Sequence, residues 1–306
     1  MKIPVIIDCD PGLDDAVALL FAFGCAGLDV KAVTAVCGNQ GLEKTFLNAR
    51  KITAFAGMDI PVAGGAVKPL RRSPVTAAYV HGSDGLGGLE LPDPPPASSP
   101  DAVTLMGNII EKSPDPVSLV AIGPLTNVAQ LLSSRPGLKP NIKVISLMGG
   151  AVEGGNVTPR AEFNIYADPD AAAIVFSAGV PIVMAGLDVT KKALMFEADA
   201  AELRRTGRRI PVFAADIFER YFRYYREQGI EGCYLHDPCS VAYLLDPSLF
   251  TSGKMHVSVG TSDGELLGAT VCSGPDSAEK QANAEVLLDI DRPRFIKMVK
   301  DALNSY

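Results

Sequence analysis

Short apolar runs that stop at Asp, Gly or Asn recur along the chain, and each is followed by a segment whose apolar residues fall at helical spacing. Residues 3–8 (IPVIID) read as a buried strand and 15–26 as an apolar helix. Strand 30–37 and helix 42–56 follow, with further strands at 117–122, 143–148, 181–186 and 284–290. Helical patterns occupy 100–112, 126–134, 168–178 and 212–228. Strands that are apolar throughout, alternating with helices, predict an α/β fold: an open, mainly parallel sheet covered by helices on both faces. Runs near 254–260 and 266–272 add an antiparallel element, which makes the sheet mixed.

The proline-rich stretch 92–100 is the best linker, but the strand–helix rhythm resumes unchanged beyond it. A single domain over 1–306 is therefore expected, with 191–235 as a helical insertion rich in Arg and Tyr near the pocket. That length sits at the upper limit of about 250–300 residues for one core.

Composition narrows the function by exclusion. A hydrophobic fraction of 47% supplies a core, which excludes intrinsic disorder. A net charge of −7 argues against a nucleic-acid polymer and against an anionic membrane as partners. No signal peptide or membrane span is expected from the short apolar runs. The six cysteines have no CxxC spacing, which suits a reducing, cytoplasmic setting.

The polar residues then cluster where α/β sheets bind ligands, just after the strands. Asp8, Asp10, Asp14 and Asp15 follow the first strand, Asn39 the second, and Gly123–Asn127 the strand at 117. Gly149-Gly150, Asn156, Glu162 and Asn164 follow the strand at 143, and Asp188 the strand at 181. Four carboxylates in eight residues repel one another unless a positive charge lies among them. Helix capping accounts for Asp14 and Asp15 at most. A hard cation held by oxygen ligands accounts for all four, and no Cys/His set competes for a softer metal.

The segment Asp8-Cys9-Asp10-Pro11-Gly12-Leu13-Asp14-Asp15 resembles the N-terminal signature of the inosine–uridine-type nucleoside hydrolases. Matches continue through Cys37-Gly38-Asn39, the His81–Gly87 loop, Gly123–Asn127, Met148-Gly149-Gly150, Glu162–Ile165 with Asp168-Pro169, and His236-Asp237-Pro238. The resemblance implies a calcium ion (Ca2+) held by Asp10, Asp15, the backbone carbonyl of Thr126 and Asp237. It implies hydrolysis of the N-glycosidic bond of a ribonucleoside, with Asp10 as general base and His236 as acid toward the leaving base. Asp14, Asn39, Asn156, Glu162 and Asn164 would hold the ribose hydroxyls, with Met148 as apolar wall and Asp237 also facing the sugar. His81 and Tyr224 would face the base, although ordinary packing of the Tyr-rich helix explains Tyr224 equally well. His256, inside an alternating strand, is read as structural.

On base preference the sequence points both ways. His236 before the last metal ligand fits the inosine–uridine and the pyrimidine-preferring branches, and the absence of tryptophan is unlike the purine-specific one. Gln228 stands where pyrimidine-preferring members tend to carry Tyr, so broad inosine/uridine preference is placed first and uridine/cytidine preference second. The rivals are a haloacid dehalogenase-type phosphotransferase, which shares Asp8-x-Asp10 but not Gly12, and a non-catalytic nucleoside-binding protein. The family resemblance further implies nucleoside salvage and a homo-oligomer, dimer or tetramer.

Overall fold

The computed structural model describes residues 2–96, 101–273 and 281–306, so part of the expected linker, 97–100, lies outside the described residues. The chain runs β1 (Ile3–Cys9), α1 (Leu13–Gly24), β2 (Leu28–Ala35), α2 (Leu42–Phe55), β3 (Val62–Gly64), α3 (Ala78–His81), α4 (Ala102–Lys112) and β4 (Val117–Ala121). It continues with α5 (Thr126–Ser134), β5 (Ile142–Met148), α6 (Phe163–Ala167), α7 (Pro169–Phe176), β6 (Ile182–Ala185) and α8 (Leu187–Thr190). Next come β7 (Leu194–Met195), α9 (Glu197–Arg205), α10 (Arg209–Glu227), β8 (Cys233–Tyr234) and α11 (His236–Leu245). The chain closes with β9 (Phe250–Val259), β10 (Thr270–Ser273), β11 (Ala284–Ile290) and α12 (Arg292–Leu303).

Nine strands form one sheet in the order β10-β9-β11-β6-β5-β4-β1-β2-β3. The pairs from β11 to β3 across β6, β5, β4, β1 and β2 are parallel, and β9 is antiparallel to both β10 and β11. The expected mainly parallel, mixed sheet is what the chain adopts. β1 alternates its side chains between two cores: Val5, Ile7 and Cys9 pack with α1, α10, α11 and α12, whereas Ile6 packs with α4, α5 and α7. Helices therefore cover both faces, and this is why the central strands can be apolar throughout.

β1 pairs with β2 on one side and with β4 on the other, so the strand order reverses there. A crevice opens outside the carboxyl ends of strands at such a point. The β1–α1 loop and the β4–α5 loop meet at it.

The structure adds elements the sequence reading does not contain, namely β3, the short helices α3, α6 and α8, and the longer α11 and α12, and it starts β9 at Phe250. α11 begins at His236, where the residues had been read only for their chemistry. α12 carried a legible signal: Asp291 caps it by accepting from Arg294 N at 3.2 Å, and Phe295, Ile296, Val299, Ala302 and Leu303 are its buried stripe. The strand expected at 266–272 is confined to Thr270–Ser273, paired with Val259 to His256. The insertion at 191–235 is helical in α9 and α10 but is bracketed by the two-stranded β7–β8 sheet. No helix among the described residues is long and apolar enough to cross a membrane.

Candidate active site

The β1–α1 loop is built around its own carboxylates. Asp15 accepts from the backbone N–H of Asp10 and of Gly12, each at 3.0 Å, and so closes the loop onto the start of α1. Asn39, at the end of β2, donates its backbone N–H to Asp10 Oδ2 at 2.6 Å. Its Nδ2 bonds the Asp10 carbonyl and Asp15 Oδ2, both at 3.2 Å. Capping of α1 thus accounts for Asp15 in part but not for Asp14, whose Oδ2 accepts from Asp237 N at the start of α11 at 2.9 Å.

Two glycines make room for the Asp10 carboxylate. A Cβ on Gly38 would lie 2.0 Å from Asp10 Oδ2, and one on Gly123 would lie 2.7 Å from Asp10 Oδ1. These glycines are required for close approach rather than for an unusual backbone.

Asp10, Asp14, Asp15 and Asp237 are all buried. Burial, before any other cause, pushes each carboxyl above its ordinary range; neighbouring negative charge adds to this at Asp10, Asp14 and Asp237. Asp10 Oδ1 and Asp14 Oδ1 are buried without a hydrogen-bond partner among the described residues. Asp8 serves differently: Thr34 Oγ1 at 2.5 Å and Asn127 Nδ2 at 2.8 Å both donate to its Oδ1, tying β1 to β2 and α5. Among the described residues no three His, Cys, Asp or Glu side chains converge tightly enough to form a metal centre by themselves.

A cavity of about 350 Å³ stands over this floor. Of the residues expected from sequence, Asp14, Asn39, His81, Met148, Asn156, Glu162, Asn164, Tyr224, His236 and Asp237 line it. Asp10, Asp15 and Thr126 are not among the lining residues; Asp10 and Asp15 are joined to the lining by their hydrogen bonds with Asn39. The Thr126 hydroxyl donates to Asp168 at 2.7 Å, so its side chain is structural.

One wall is polar and rigid. Glu162 caps α6 by accepting from Asn164 N at 3.0 Å and Ile165 N at 3.2 Å, and it also receives Gly150 N at 3.0 Å. Burial nonetheless raises it to about 7. Asn164 Nδ2 is fixed by the carbonyls of Ile122 at 3.0 Å and Met148 at 3.1 Å, which leaves Oδ1 as its remaining hydrogen-bonding group. Asp188, noted at a strand end, is structural: it accepts from Val152 N at 2.7 Å and Glu153 N at 3.1 Å.

The other wall is aromatic. Tyr221, Tyr224 and Tyr225 come from α10, with Gln228, Ile230 and Tyr234 from the segment after it and Tyr79, Val80 and His81 from α3. His81 Nδ1 accepts from Leu13 N at 3.1 Å, and burial lowers its pKa to about 4. His236 is held at both nitrogens, Nε2 to Tyr225 OH at 3.1 Å and Nδ1 to Thr190 Oγ1 at 2.7 Å. Burial and the charge of Lys191 lower it to about 3. An acid role for His236 would therefore have to work from a neutral ring, with a single N–H to give. His256 lies outside the site, against the Gln281 carbonyl at 3.0 Å.

Sequence reasoning missed Thr190, Lys191, Ile230 and Tyr234. They converge because β7 and β8 pair Leu194 with Tyr234, a two-residue ladder with no periodic signal.

Comparison with known proteins agrees with this geometry. A family model described as inosine-uridine preferring nucleoside hydrolase matches residues 5–297. The chain is 46% identical over its full length to the full length of a pyrimidine-specific ribonucleoside hydrolase, RihA, of Salmonella paratyphi B. It is similar to the structure of a purine-preferring ribonucleoside hydrolase of Gardnerella vaginalis, at 32% identity with a TM-score of 0.92 over 98% of each chain. It is equally similar to a plant nucleoside hydrolase, PpNRh1, at 34% identity and a TM-score of 0.92 over 99% of each chain.

Proposed function

Because the chain belongs to the inosine-uridine preferring nucleoside hydrolase family, we propose that it hydrolyses pyrimidine ribonucleosides, uridine and cytidine, to ribose and free base. Nucleoside hydrolysis is the activity of the family; the base preference is the added step. The sequence places broad inosine/uridine preference first, because Tyr224 resembles the purine-stacking aromatic of broader-specificity members and Gln228 stands where pyrimidine-preferring ones tend to carry Tyr. The relative at 46% identity supports the pyrimidine alternative better. The fold is neutral on this point, since a purine-preferring hydrolase shares it.

The observation that carries the reading is the carboxylate floor. Asp10 and Asp14 each keep an oxygen without a protein partner beside Asp15 and Asp237, below a cavity whose walls suit a sugar on one side and a flat ring on the other. Such a floor fits a hard divalent cation, because the donors are oxygens and the buried negative charge lacks a counter-charge. Asp10, Asp15, the Thr126 carbonyl and Asp237 would hold it, calcium being the family expectation. When bound, such an ion acidifies and orients the attacking water.

The chain's own residues supply the rest. Asp10 Oδ1 takes the proton of the attacking water as general base. Asp14, Asn39, Asn156, Glu162 and Asn164 orient the ribose hydroxyls, and the buried polar groups of Asp14, Asn39, Glu162 and Asn164 reject deoxyribose because they would be left unpaired. As the C1′–N bond breaks, positive charge grows on the sugar, and the carboxylate floor stabilises it more than the neutral ground state. Attack from the face opposite the base inverts the anomeric centre.

Turnover of uridine, cytidine, inosine and adenosine by wild type, together with Asp10→Asn, tests this. Pyrimidine ribosides should lead, and Asp10→Asn should still bind them while kcat falls by about 10³-fold. Equal turnover by the two proteins would remove Asp10 from its role, and faster inosine than uridine would return the broad preference. A cytoplasmic, salvage-type role and a homo-oligomeric state belong to the same proposal, the latter checked by native mass.

A further inference from the structure

We propose that Lys191 is the electrostatic partner of the departing nucleobase, receiving the negative charge that the base acquires as the glycosidic bond breaks. The inference rests on the hydrolase reading and deepens it, because it assigns the half of the reaction that the carboxylate floor cannot serve.

Heterolysis leaves two charges. Water adds its oxygen to C1′ and gives a proton to Asp10, while the C1′–N electron pair passes to the base and spreads over its ring nitrogen and carbonyl oxygen. The base then takes up a proton from solvent. Carboxylates favour the positive sugar but oppose the negative base, so the base needs a donor or a cation of its own. Tyr225 and Thr190 occupy both nitrogens of His236. His81 accepts from Leu13 N–H at Nδ1, so its ring is neutral there and has one Nε2–H to donate but no positive charge to set against the base.

Lys191 supplies the cation. Among the described residues lining the cavity it is the sole Lys or Arg, in a lining that also holds the acids Asp14, Glu162 and Asp237. Its place in the fold assigns it to the aromatic wall. Leu235 N bonds the Ala193 carbonyl at 2.9 Å, and Leu194 pairs with Tyr234, so residues 190–194 run alongside 234–236. Thr190, its neighbour, touches His236. The next lysine shows the contrast. Lys192 turns away to the Leu288 carbonyl at 2.8 Å and Asp289 at 3.2 Å, whereas Lys191 makes no ion pair among the described residues. Lys191 is exposed, so its charge acts on the base where a bound nucleoside displaces the water between them.

The test reads leaving-group dependence. Wild type, Lys191→Met and Lys191→Arg are compared on uridine, 5-fluorouridine and 4-nitrophenyl riboside, whose leaving groups are progressively better able to carry negative charge. Lys191→Met should lose about tenfold in kcat/KM on uridine, less on 5-fluorouridine and under about twofold on 4-nitrophenyl riboside. Lys191→Arg should recover most of the loss. A loss that is the same for all three substrates, as a structural role would give, overturns the proposal, and so does an unchanged rate on uridine. Wild type inactive on every riboside would instead remove the hydrolase reading beneath it.

Discussion

The floor and the aromatic wall of the cavity are built by opposite rules. On the floor, Asp10 and Asp15 are fully buried, and backbone N–H groups from their own loop and from β2 fix them in place. On the wall, Tyr79 keeps 66% of its surface exposed and Tyr224 is half-buried at the mouth. Buried charge tolerates almost no change of position, because each carboxylate must find its partners or lose them. Stacking surfaces tolerate a good deal, since a ring binds a ring over a range of offsets. Under the proposed reading the floor serves the hydrolysis and the wall the choice of base.

Removing the proposed cation from the floor should have the largest effect. EDTA should abolish turnover and lower the thermal unfolding temperature, as four buried carboxylates are left uncompensated. Ca²⁺ should restore both and Zn²⁺ neither; recovery with Zn²⁺ would mean a softer site than the oxygen set implies. Next is Gly38→Ala, which puts a Cβ 2.0 Å from Asp10 Oδ2 and 2.7 Å from the Pro124 ring, forcing the carboxylate proposed as general base to move. A displacement of that kind should cost about 10²-fold in kcat/KM. Gly137→Ala, with nothing within 4 Å, should stay within about 0.5 kcal/mol and keep full activity. On the wall, Tyr224→Ala should raise KM about tenfold with kcat little changed, the loss expected for one stacking partner. A fall in kcat at constant KM would make Tyr224 part of the chemistry and blur the division between floor and wall.

That division also explains what the sequence made legible. Asp8 to Asp15 crowd four carboxylates into one turn, which has no cheap explanation in a core, so the floor was visible locally. Glu162, Asn164 and Asn39 were visible because they follow strands. Tyr221 and Tyr225 sit on α10 in the same stripe as Phe218 and Phe222, so nothing in the spacing separates wall from core. Lys191 and Thr190 were illegible for a different reason: they enter the site through the β7–β8 pairing, a contact between residues about forty apart with no pattern of its own. α12 was legible and overlooked, since Asp291, Pro293 and its apolar stripe announce a helix. The parallel sheet was the easiest feature, because strands buried on both faces cannot hide their composition.

The smallest effects concern stability against pH, where a site carboxylate and a surface carboxylate should behave with opposite sign. Burial raises Glu162 to about 7 in the folded state. The native protein then holds a proton that the unfolded chain has released, so its contribution falls as pH rises from the ordinary glutamate range toward 7. The unfolding free energy of wild type minus that of Glu162→Gln should decline across this window, by of order 2 kcal/mol. Asp101, at the start of α4, is the converse. Its carboxylate accepts from Thr104 Oγ1 at 2.6 Å and Thr104 N at 3.1 Å, and these bonds lower its pKa. Here the unfolded chain takes up the proton first, so the contribution is present above the ordinary aspartate value and is lost as pH falls through the depressed one. Asp101→Asn should cost at most about 1 kcal/mol near neutrality, an effect that vanishes in acid, with turnover unchanged. If both differences ran in the same direction, burial would not be what separates the site carboxylate from the surface one.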